Sequence, residues 1–195
     1  MRKLSENRRR FDEARAHAIR MYRDSGDAAW LLSQLSRITD EAVMRQAGAS
    51  GLSPRTALVA VGGYGRSEMF PYSDLDILLL VPGQEACDQA REEAAAFITS
   101  LWDLGLVVGG TVRTVPECLE ASADITVATA LLESRLIGGD AALYHRMKGA
   151  FLARLDPRAF FRDKMLEMHQ RHARTGDSPY ALEPNVKESP GGLRD

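Results

Sequence analysis

Residues 59–81 read VAVGGYGRSEMFPYSDLDILLLV, in which a glycine-rich turn lies between two short apolar runs. Such runs are typical of buried strands, so we expect one strand to end at the glycines and a second to begin at the aspartates. Because alternate side chains of a strand share a face, Asp74 and Asp76 should point the same way, with Cα atoms about 6.5–7 Å apart. The pair is therefore either a solvated acidic turn or a metal site.

The order of the two features favours the metal site. The glycines end one strand ten residues before the acid–apolar–acid pattern that opens the next, which makes the two features neighbours in space. Two carboxylates on one face can share a pair of divalent ions, which lie about 3.5–4 Å apart in two-metal phosphoryl-transfer sites. Mg²⁺ (or Mn²⁺) suits carboxylate, water and phosphate oxygens. We predict that Asp74 and Asp76 are the catalytic and metal-binding residues.

The turn has the composition of a phosphate-binding loop. Glycine permits positive φ, so the backbone N–H groups of Gly62, Gly63 and Gly65 can converge on an anion. Arg66 can add a bidentate phosphate contact, and a short helical turn that opens at Ser67 would favour the same anion. These five residues are the predicted nucleotide-binding set. Considered alone, the glycines also fit a plain turn and Arg66 fits a surface salt bridge.

The remaining sequence predicts an α+β or α/β core with helices on both sides. Apolar runs and helical periodicity predict, in chain order, strands at 56–61 and 76–81, a helix at 84–104 and a strand at 106–115.

Helical patterns flank this core, over 3–23 and 27–47 before it and from 124 onwards after it. Asp27 is the expected N-cap of the second helix, and the last region is expected to break at Gly138-Gly139 and at Asp156-Pro157. The predicted domains are a helical segment at 1–50, a core at 51–123 and a helical segment at 124–195.

Composition limits the partners. The 195 residues carry 25 Lys and Arg against 27 Asp and Glu, a net charge of −2, so no overall basic field attracts nucleic acid. Cys87 and Cys118 form no CxxC motif, which argues against a zinc site or a disulfide framework. No apolar stretch reaches 18 residues and no signal peptide is visible. We predict a cytoplasmic protein with no nucleic-acid and no membrane partner.

The arrangement of VGG and SDLDIL resembles the polymerase-beta-type nucleotidyltransferase superfamily, whose signature is Gly-Gly or Gly-Ser, about ten residues, and then two acids that flank an apolar residue. Four longer stretches are similar to the N-terminal part of the bifunctional uridylyltransferase/uridylyl-removing enzymes that modify the PII nitrogen-signal protein. They are GGYGRSEMFPYSDLDILLL, TVRTVPECLE, DITVATALLESRLIGGD and LEPNVKESPGGLRD.

This resemblance implies a polymerase-beta-type core, a small mixed sheet with helices, flanked by an N-terminal helical hairpin and C-terminal helices. It implies Gly62 and Gly63 as the phosphate-binding pair, and Asp74 and Asp76 as metal ligands. The implied reaction is transfer of UMP from UTP to a tyrosine hydroxyl of PII, with release of pyrophosphate. The last stretch is then the start of a truncated downstream domain.

One departure concerns a third carboxylate, which many superfamily members carry on a later strand. Residues 106–115 contain no acid. Candidates beyond that strand are Glu117, Glu120 and Asp124, although Asp124 fits better as the N-cap of the next helix. Arg113 is a further site candidate. Glu133 and Arg135 do not share a helical face, so at least one should pair elsewhere.

Two alternative functions remain open from the sequence. The first is nucleotidyl transfer to another acceptor, such as adenylyl transfer to glutamine synthetase or a small molecule. The second is a non-catalytic module that binds nucleotide for regulation. Backbone amides and metal ions recognise a triphosphate and not a base, so the residues leave the choice between UTP and ATP open. No histidine is followed by aspartate, so no His-Asp hydrolase site is expected.

Overall fold

A four-stranded mixed sheet organises the protein. The computed structural model describes residues 2–174, 185–186 and 189–192, with side chains described outside 2–5 and 85–89. Its elements are α1 (Arg2–Ser25), α2 (Ala28–Ala49), β1 (Ala57–Ala60), α3 (Gly62–Gly65), β2 (Leu75–Val81), α4 (Gln84–Asp103), β3 (Val108–Thr114), α5 (Val115–Ala121), α6 (Ile125–Leu132), β4 (Arg135–Gly139), α7 (Ala141–Arg154) and α8 (Pro157–Arg174).

The strand order is β3-β2-β1-β4. β2 and β3 are parallel, whereas β1 is antiparallel to both β2 and β4. β2 is the central apolar strand, and every residue of it is buried except Asp76. The mixed sheet and its helices confirm the α+β class that the sequence predicts.

The strand β4 corrects one expectation, because this segment was predicted to be a break within a helical region. Arg135–Gly139 instead pairs with β1. A side chain at Gly138 would collide with Met44, and one at Gly139 would collide with the carbonyl of Thr56. The glycines therefore allow the strand to approach α2 and β1 closely. An apolar run as short as Leu136-Ile137 does not distinguish a strand from a helix by periodicity.

The helices α1 and α2 form the predicted hairpin, and they pack on the sheet. The backbone N–H of Trp30 donates to the Asp27 side chain at 2.9 Å, which confirms the expected N-cap. Apolar residues of α1, α2 and α4 share one buried cluster with the strands β1 and β2. The hairpin is thus part of the core that supports the glycine turn.

The loop between α3 and β2 is anchored to the same hairpin. Arg15 of α1 donates a hydrogen bond to the carbonyl of Pro71. The backbone N–H of Met69 donates to Ser36 of α2 over 3.3 Å. Two separate contacts therefore hold the loop that leads to Asp74.

The chain divides into two compact units, Met1–Leu152 and Ala153–Asp195. In the second unit α8 is the main described element, and on it Glu167 pairs with Lys164 at 2.9 Å. Most of the stretch 182–195, which carries part of the family resemblance, lies outside the described residues.

Among the described helices, none is both long enough and apolar enough to cross a membrane. Cys118 is a free, buried cysteine. The side chain of Cys87 lies outside the described part of the chain.

Candidate functional site

The glycine turn begins one residue after β1 as the short helix α3. The backbone N–H of Gly65 donates to the carbonyl of Val61, and that of Arg66 to the carbonyl of Gly62, each at 3.1 Å. This position corrects the expectation of a helical turn that opens at Ser67. Gly62 has φ +59°, which lets the chain turn immediately, and Ser67 has φ +62°, a left-handed conformation that follows the turn.

Strand register brings this turn next to Asp76. Ala60 lies opposite Ile77 in the β1–β2 ladder, and the N–H of Val61 donates to the carbonyl of Asp76 at 3.0 Å. The next residue, Gly62, therefore lies beside the Asp76 side chain. A Cβ atom at Gly62 would be 3.5 Å from Asp76 Oδ2. The structure thus brings together the glycine and the carboxylate that the sequence separates by 13 residues.

A second glycine backbone lies on the other side of the same carboxylate. Gly109 of β3 is the register partner of Asp76, and a Cβ atom there would be 3.0 Å from Asp76 Oδ1. That distance is tighter than nearly all contacts of real Cβ atoms. Glycines therefore lie next to Asp76 at two positions, one on each neighbouring strand or turn. The sequence reasoning missed Gly109, because its position opposite Asp76 depends on strand register.

Asp74 immediately precedes β2, and both it and Asp76 are exposed whereas the intervening Leu75 is buried. This alternation agrees with the expectation that the two carboxylates share a face. Among the described residues, no group of three or more His, Cys, Asp and Glu side chains is arranged to hold a metal ion. Two exposed carboxylates nevertheless suit Mg²⁺, which commonly takes one or two carboxylates and completes its shell with water and substrate phosphate.

Arg66 lies next to the turn and is held by two carboxylates. Its Nε donates to Glu68 and a terminal nitrogen donates to Glu133, both at 2.7 Å. The hydrogen bond to Glu68 is the main cause that raises the pKa of Arg66, so the side chain keeps its positive charge. A Cβ atom at Gly63 would be 3.8 Å from the other terminal nitrogen. The guanidinium is therefore beside the predicted phosphate-binding backbone, in a salt bridge that an incoming anion would have to share.

Gly65 has a packing role that the sequence did not reveal. It is buried, and a Cβ atom there would collide with the carbonyl of Glu133 and lie 3.1 Å from that of Ala60. Its N–H is already used within α3. Of the three predicted glycines, Gly62 alone has positive φ. Gly62 and Gly63 are therefore better placed than Gly65 to receive an anion.

Two of the three candidates for a third carboxylate are helix caps. Glu117 forms a capping box with Thr114, whose N–H donates to it at 2.7 Å. Asp124 accepts from the N–H groups of Thr126 and Val127 at 2.7 and 3.2 Å, which confirms its expected N-cap role. Backbone hydrogen bonds lower the pKa of both carboxyl groups. Glu120 lies on α5, and its backbone carbonyl accepts from the N–H of the C-cap residue Ser122.

The remaining sequence-predicted pairs are also resolved. Glu133 pairs with Arg66, as above, and Arg135 pairs with Asp40 of α2 at 2.8 Å. Glu133 and Arg135 therefore both have partners distant in sequence, whereas the sequence predicted such a partner for at least one of them. Arg113, the other site candidate, lies on β3 opposite Leu80 of β2. That pair is four residues along the strands from the pair of Asp76 and Gly109.

Comparison with known proteins defines the class of this site. Residues 48–117, which contain the glycine turn, Asp74 and Asp76, match the family model of the nucleotidyltransferase domain. Residues 159–195 match the family model of GlnD PII-uridylyltransferase. The chain therefore contains a nucleotidyltransferase domain.

Curated relatives extend the similarity to nearly the whole chain. It is 52% identical over 190 residues, 96% of this chain and 22% of the relative, to a bifunctional uridylyltransferase/uridylyl-removing enzyme of Burkholderia orbicola (strain AU 1054). Enzymes of the same name are 54% identical in Bordetella avium (strain 197N) and 49% in Ralstonia nicotianae (strain ATCC BAA-1114 / GMI1000), over 95% and 93% of this chain and 22% and 21% of theirs. By sequence, the chain is similar to the bifunctional uridylyltransferase/uridylyl-removing enzymes, and it spans about a fifth of their length.

A solved structure titled "Crystal structure of the toxin-antitoxin with AMP-PNP" aligns with 71% of this chain and 96% of its own, with a TM-score of 0.34 and 11% identity. A likeness this weak adds nothing to the assignment.

Proposed function

We propose that this chain carries the transferase site that moves UMP from UTP to a tyrosine hydroxyl of the PII signal protein, with release of pyrophosphate. The observation that carries the proposal is the position of the Asp76 carboxylate next to the glycine turn, 3.5 Å from where a Cβ atom of Gly62 would lie. Both residues are inside the segment that matches the nucleotidyltransferase domain. The names of the relatives supply the nucleotide and the acceptor.

In the proposed site, one set of residues binds the phosphates and another binds the metal ions. The backbone at Gly62 and Gly63 receives the triphosphate, and Arg66 exchanges part of its contact with Glu68 and Glu133 for the phosphate oxygens. Ser67 borders this turn. Asp74 and Asp76 would hold Mg²⁺ (or Mn²⁺). Gly109 contributes no Cβ atom, which would lie 3.0 Å from Asp76 Oδ1.

The acceptor is a poor nucleophile without help. A tyrosine hydroxyl has an ordinary pKa of about 10, so little phenolate exists at neutral pH. A divalent cation, when bound, favours the phenolate and neutralises charge that develops on the phosphate. The two carboxylates are exposed, so acceptor and nucleotide can both reach them. Residues 51–123 form the proposed catalytic core, preceded in sequence by the helical segment 1–50 and followed by 124–195, which contributes β4 to the sheet.

A non-catalytic, nucleotide-binding role is the second candidate, and one observation favours it. β3 has no acidic residue, and both Glu117 and Asp124 are committed to helix caps. A site with two carboxylates still binds a metal–triphosphate complex. It is then the transfer step, and not binding, that separates the two candidates.

The experiment offers labelled UTP or ATP, with Mg²⁺, to the chain with and without PII. The transferase proposal expects label from UTP on PII together with pyrophosphate. A PII variant with phenylalanine at the acceptor tyrosine should remain unlabelled. Transfer from ATP instead would favour adenylyl chemistry. Thermal protection by UTP with no transfer to any acceptor would favour the binding module and contradict the proposed reaction.

A further inference from the structure

Three polar residues from three elements meet behind the glycine turn. The hydroxyl of Tyr64 in α3 donates to Asp40 Oδ1 in α2 at 2.7 Å. Arg135 at the start of β4 donates from both terminal nitrogens to the two oxygens of Asp40, at 2.8 and 3.1 Å. We call Asp40, Tyr64 and Arg135 the Tyr64 cluster. It joins residues that lie 24 and 95 positions apart in sequence.

The cluster holds the turn by its backbone as well as by its side chain. Arg135 also donates to the carbonyl of Tyr64 at 3.3 Å, and its guanidinium lies 5.5 Å from the centre of the Tyr64 ring. The next residue, Gly65, packs against the carbonyl of Glu133 just before β4. Tyr64 and Gly65, the second half of α3, therefore contact α2 and β4. Gly62, at the start of α3, lies beside Asp76 of β2.

These contacts specify one geometry. The Tyr64 side chain is 1% exposed, so a hydroxyl without a partner would be costly. Burial, followed by the charge of Asp40, raises the pKa of Tyr64, which keeps the hydroxyl a proton donor. Burial lowers the pKa of Arg135, but the hydrogen bonds and charge of Asp40 outweigh it and the pKa is raised overall. A bidentate pair adds a fixed orientation to this permanently charged contact.

We propose that Asp40, Tyr64 and Arg135 are positioning residues, which set the placement of the Gly62–Gly63 backbone relative to Asp76 and thereby the affinity of the site for a metal-bound nucleoside triphosphate. The inference rests on the proposed nucleotide role of the turn. None of the three side chains needs to touch the nucleotide. A purely structural cluster would instead lower stability and leave the affinity of the folded protein unchanged.

Tyr64→Phe tests this, with Tyr144→Phe as its matched control. Each substitution removes one buried tyrosine hydroxyl that donates a hydrogen bond of 2.7 Å, to Asp40 in one case and to the carbonyl of Ser134 in the other. The first readout needs no ligand. It is amide hydrogen exchange at Gly65 and Arg66, whose N–H groups close α3. We expect exchange there to be about ten-fold faster in Tyr64→Phe and unchanged within two-fold in Tyr144→Phe.

The second readout is the affinity for Mg²⁺–UTP by calorimetry. We expect about a ten-fold loss in Tyr64→Phe and none beyond two-fold in Tyr144→Phe. Arg135→Lys keeps the charge but not the bidentate geometry, so it should weaken binding in the same way. It also replaces Tyr64→Phe if that variant does not fold.

The two readouts separate the failures. If the unaltered chain binds no Mg²⁺–UTP, the proposed nucleotide site is wrong, and exchange at Gly65 and Arg66 still decides whether the cluster holds the turn. Equal protection of these amides in Tyr64→Phe and in the unaltered chain would overturn the inference. So would unchanged Mg²⁺–UTP affinity in a Tyr64→Phe protein whose turn exchanges faster.

Discussion

Asp76 lies next to two glycines, Gly62 and Gly109, that leave its carboxylate oxygens uncrowded by a Cβ atom at either position. A side chain at Gly109 would crowd one carboxylate oxygen, and a side chain at Gly62 would contact the other. Asp74 lies outside this pair of glycines, at the end of an anchored loop, and is exposed. The Asp76 and Asp74 side chains therefore contribute little to the buried core, and replacing their carboxylates should change chemistry more than folding.

The first prediction concerns these carboxylates. Asp74→Asn and Asp76→Asn should each lower uridylyl transfer by about 10²–10³-fold, the scale for loss of one preorganised electrostatic group. Circular dichroism and the unfolding midpoint should remain close to those of the unaltered chain. Asp24→Asn, an exposed position on α1, is the control and should keep full transfer. Transfer within a few-fold of normal in a folded Asp76→Asn protein would contradict the metal-binding assignment.

The second prediction separates a phosphate cradle from a simple turn. Among the described residues, apart from its chain neighbours and the backbone of its own helix, the nearest atom to a Cβ at Gly63 is a terminal nitrogen of Arg66, at 3.8 Å. Gly63 is not a position of positive φ, so Gly63→Val should fold. A phosphate that must approach this backbone should be excluded, and UTP affinity should fall by at least about ten-fold. Calorimetry provides the measurement. Gly149→Val, also at an open glycine in a helix, is the control for helix propensity alone.

At the scale of elements, the sequence predicted the strands and helices that a local hydrophobic pattern specifies. The runs at 56–61, 76–81 and 106–115 became β1, β2 and β3 with shifts of one or two residues. β1 and β2 are buried strands, which read as continuous apolar segments, whereas most of β3 is exposed or half-buried. The predictions for two elements, α3 and β4, were wrong because their positions depend on contacts between segments distant in sequence. β4 pairs with β1, and its glycines allow close approach to Met44 and to the carbonyl of Thr56. α3 starts at Gly62, two residues after the last β1–β2 pair at Ala60, where a positive φ turns the chain.

The third prediction uses the cap of α6. Hydrogen bonds from Val127 and Thr126 lower the pKa of Asp124. Its carboxylate therefore stabilises the fold above the unfolded pKa of about 3.9, and this contribution is lost as pH falls through the lower folded value. Asn caps a helix comparably and does not titrate. Asp124→Asn should thus unfold at a temperature that depends less on pH between 5 and 2.5.

The comparison needs thermal unfolding at several pH values. Glu117 titrates in the same direction and is common to both proteins, so it cancels in the difference between them. A stability difference between the two proteins that stays constant across this pH range would show that the Asp124 charge does not contribute to the cap.

At the scale of the whole molecule, the N-terminal hairpin supports the site. Arg15 holds Pro71, Ser36 holds Met69 and Asp40 holds both Tyr64 and Arg135. The sequence located the aspartates and the glycine turn because a local motif carries them. It gave no sign of these supporting pairs, since each joins residues from distant segments and a lone Arg, Ser or Asp on a helix most often faces solvent. In the structure the hairpin is thus a support for the turn and the loop.

The hairpin also buries a large part of the core. Phe11, Leu31, Leu35 and Val43 are each at most 6% exposed and belong to the main cluster with the sheet. Burial of one such side chain contributes about 1.5–3 kcal/mol, as an upper estimate, so the four together approach the net stability of a typical domain, about 5–15 kcal/mol.

The last prediction follows from that comparison. A chain that lacks residues 1–50 should not fold, because the sheet face formed by Leu58, Ile77 and Leu79 would lose its cover. A chain that lacks 155–195, a deletion of similar length, keeps every member of the main cluster and should unfold cooperatively. Thermal unfolding followed by circular dichroism distinguishes the two. A cooperative transition and retained Mg²⁺–UTP binding in the chain without 1–50 would mean that residues 51–195 fold without the hairpin. The contacts of Arg15, Ser36 and Asp40 would then be dispensable for the site.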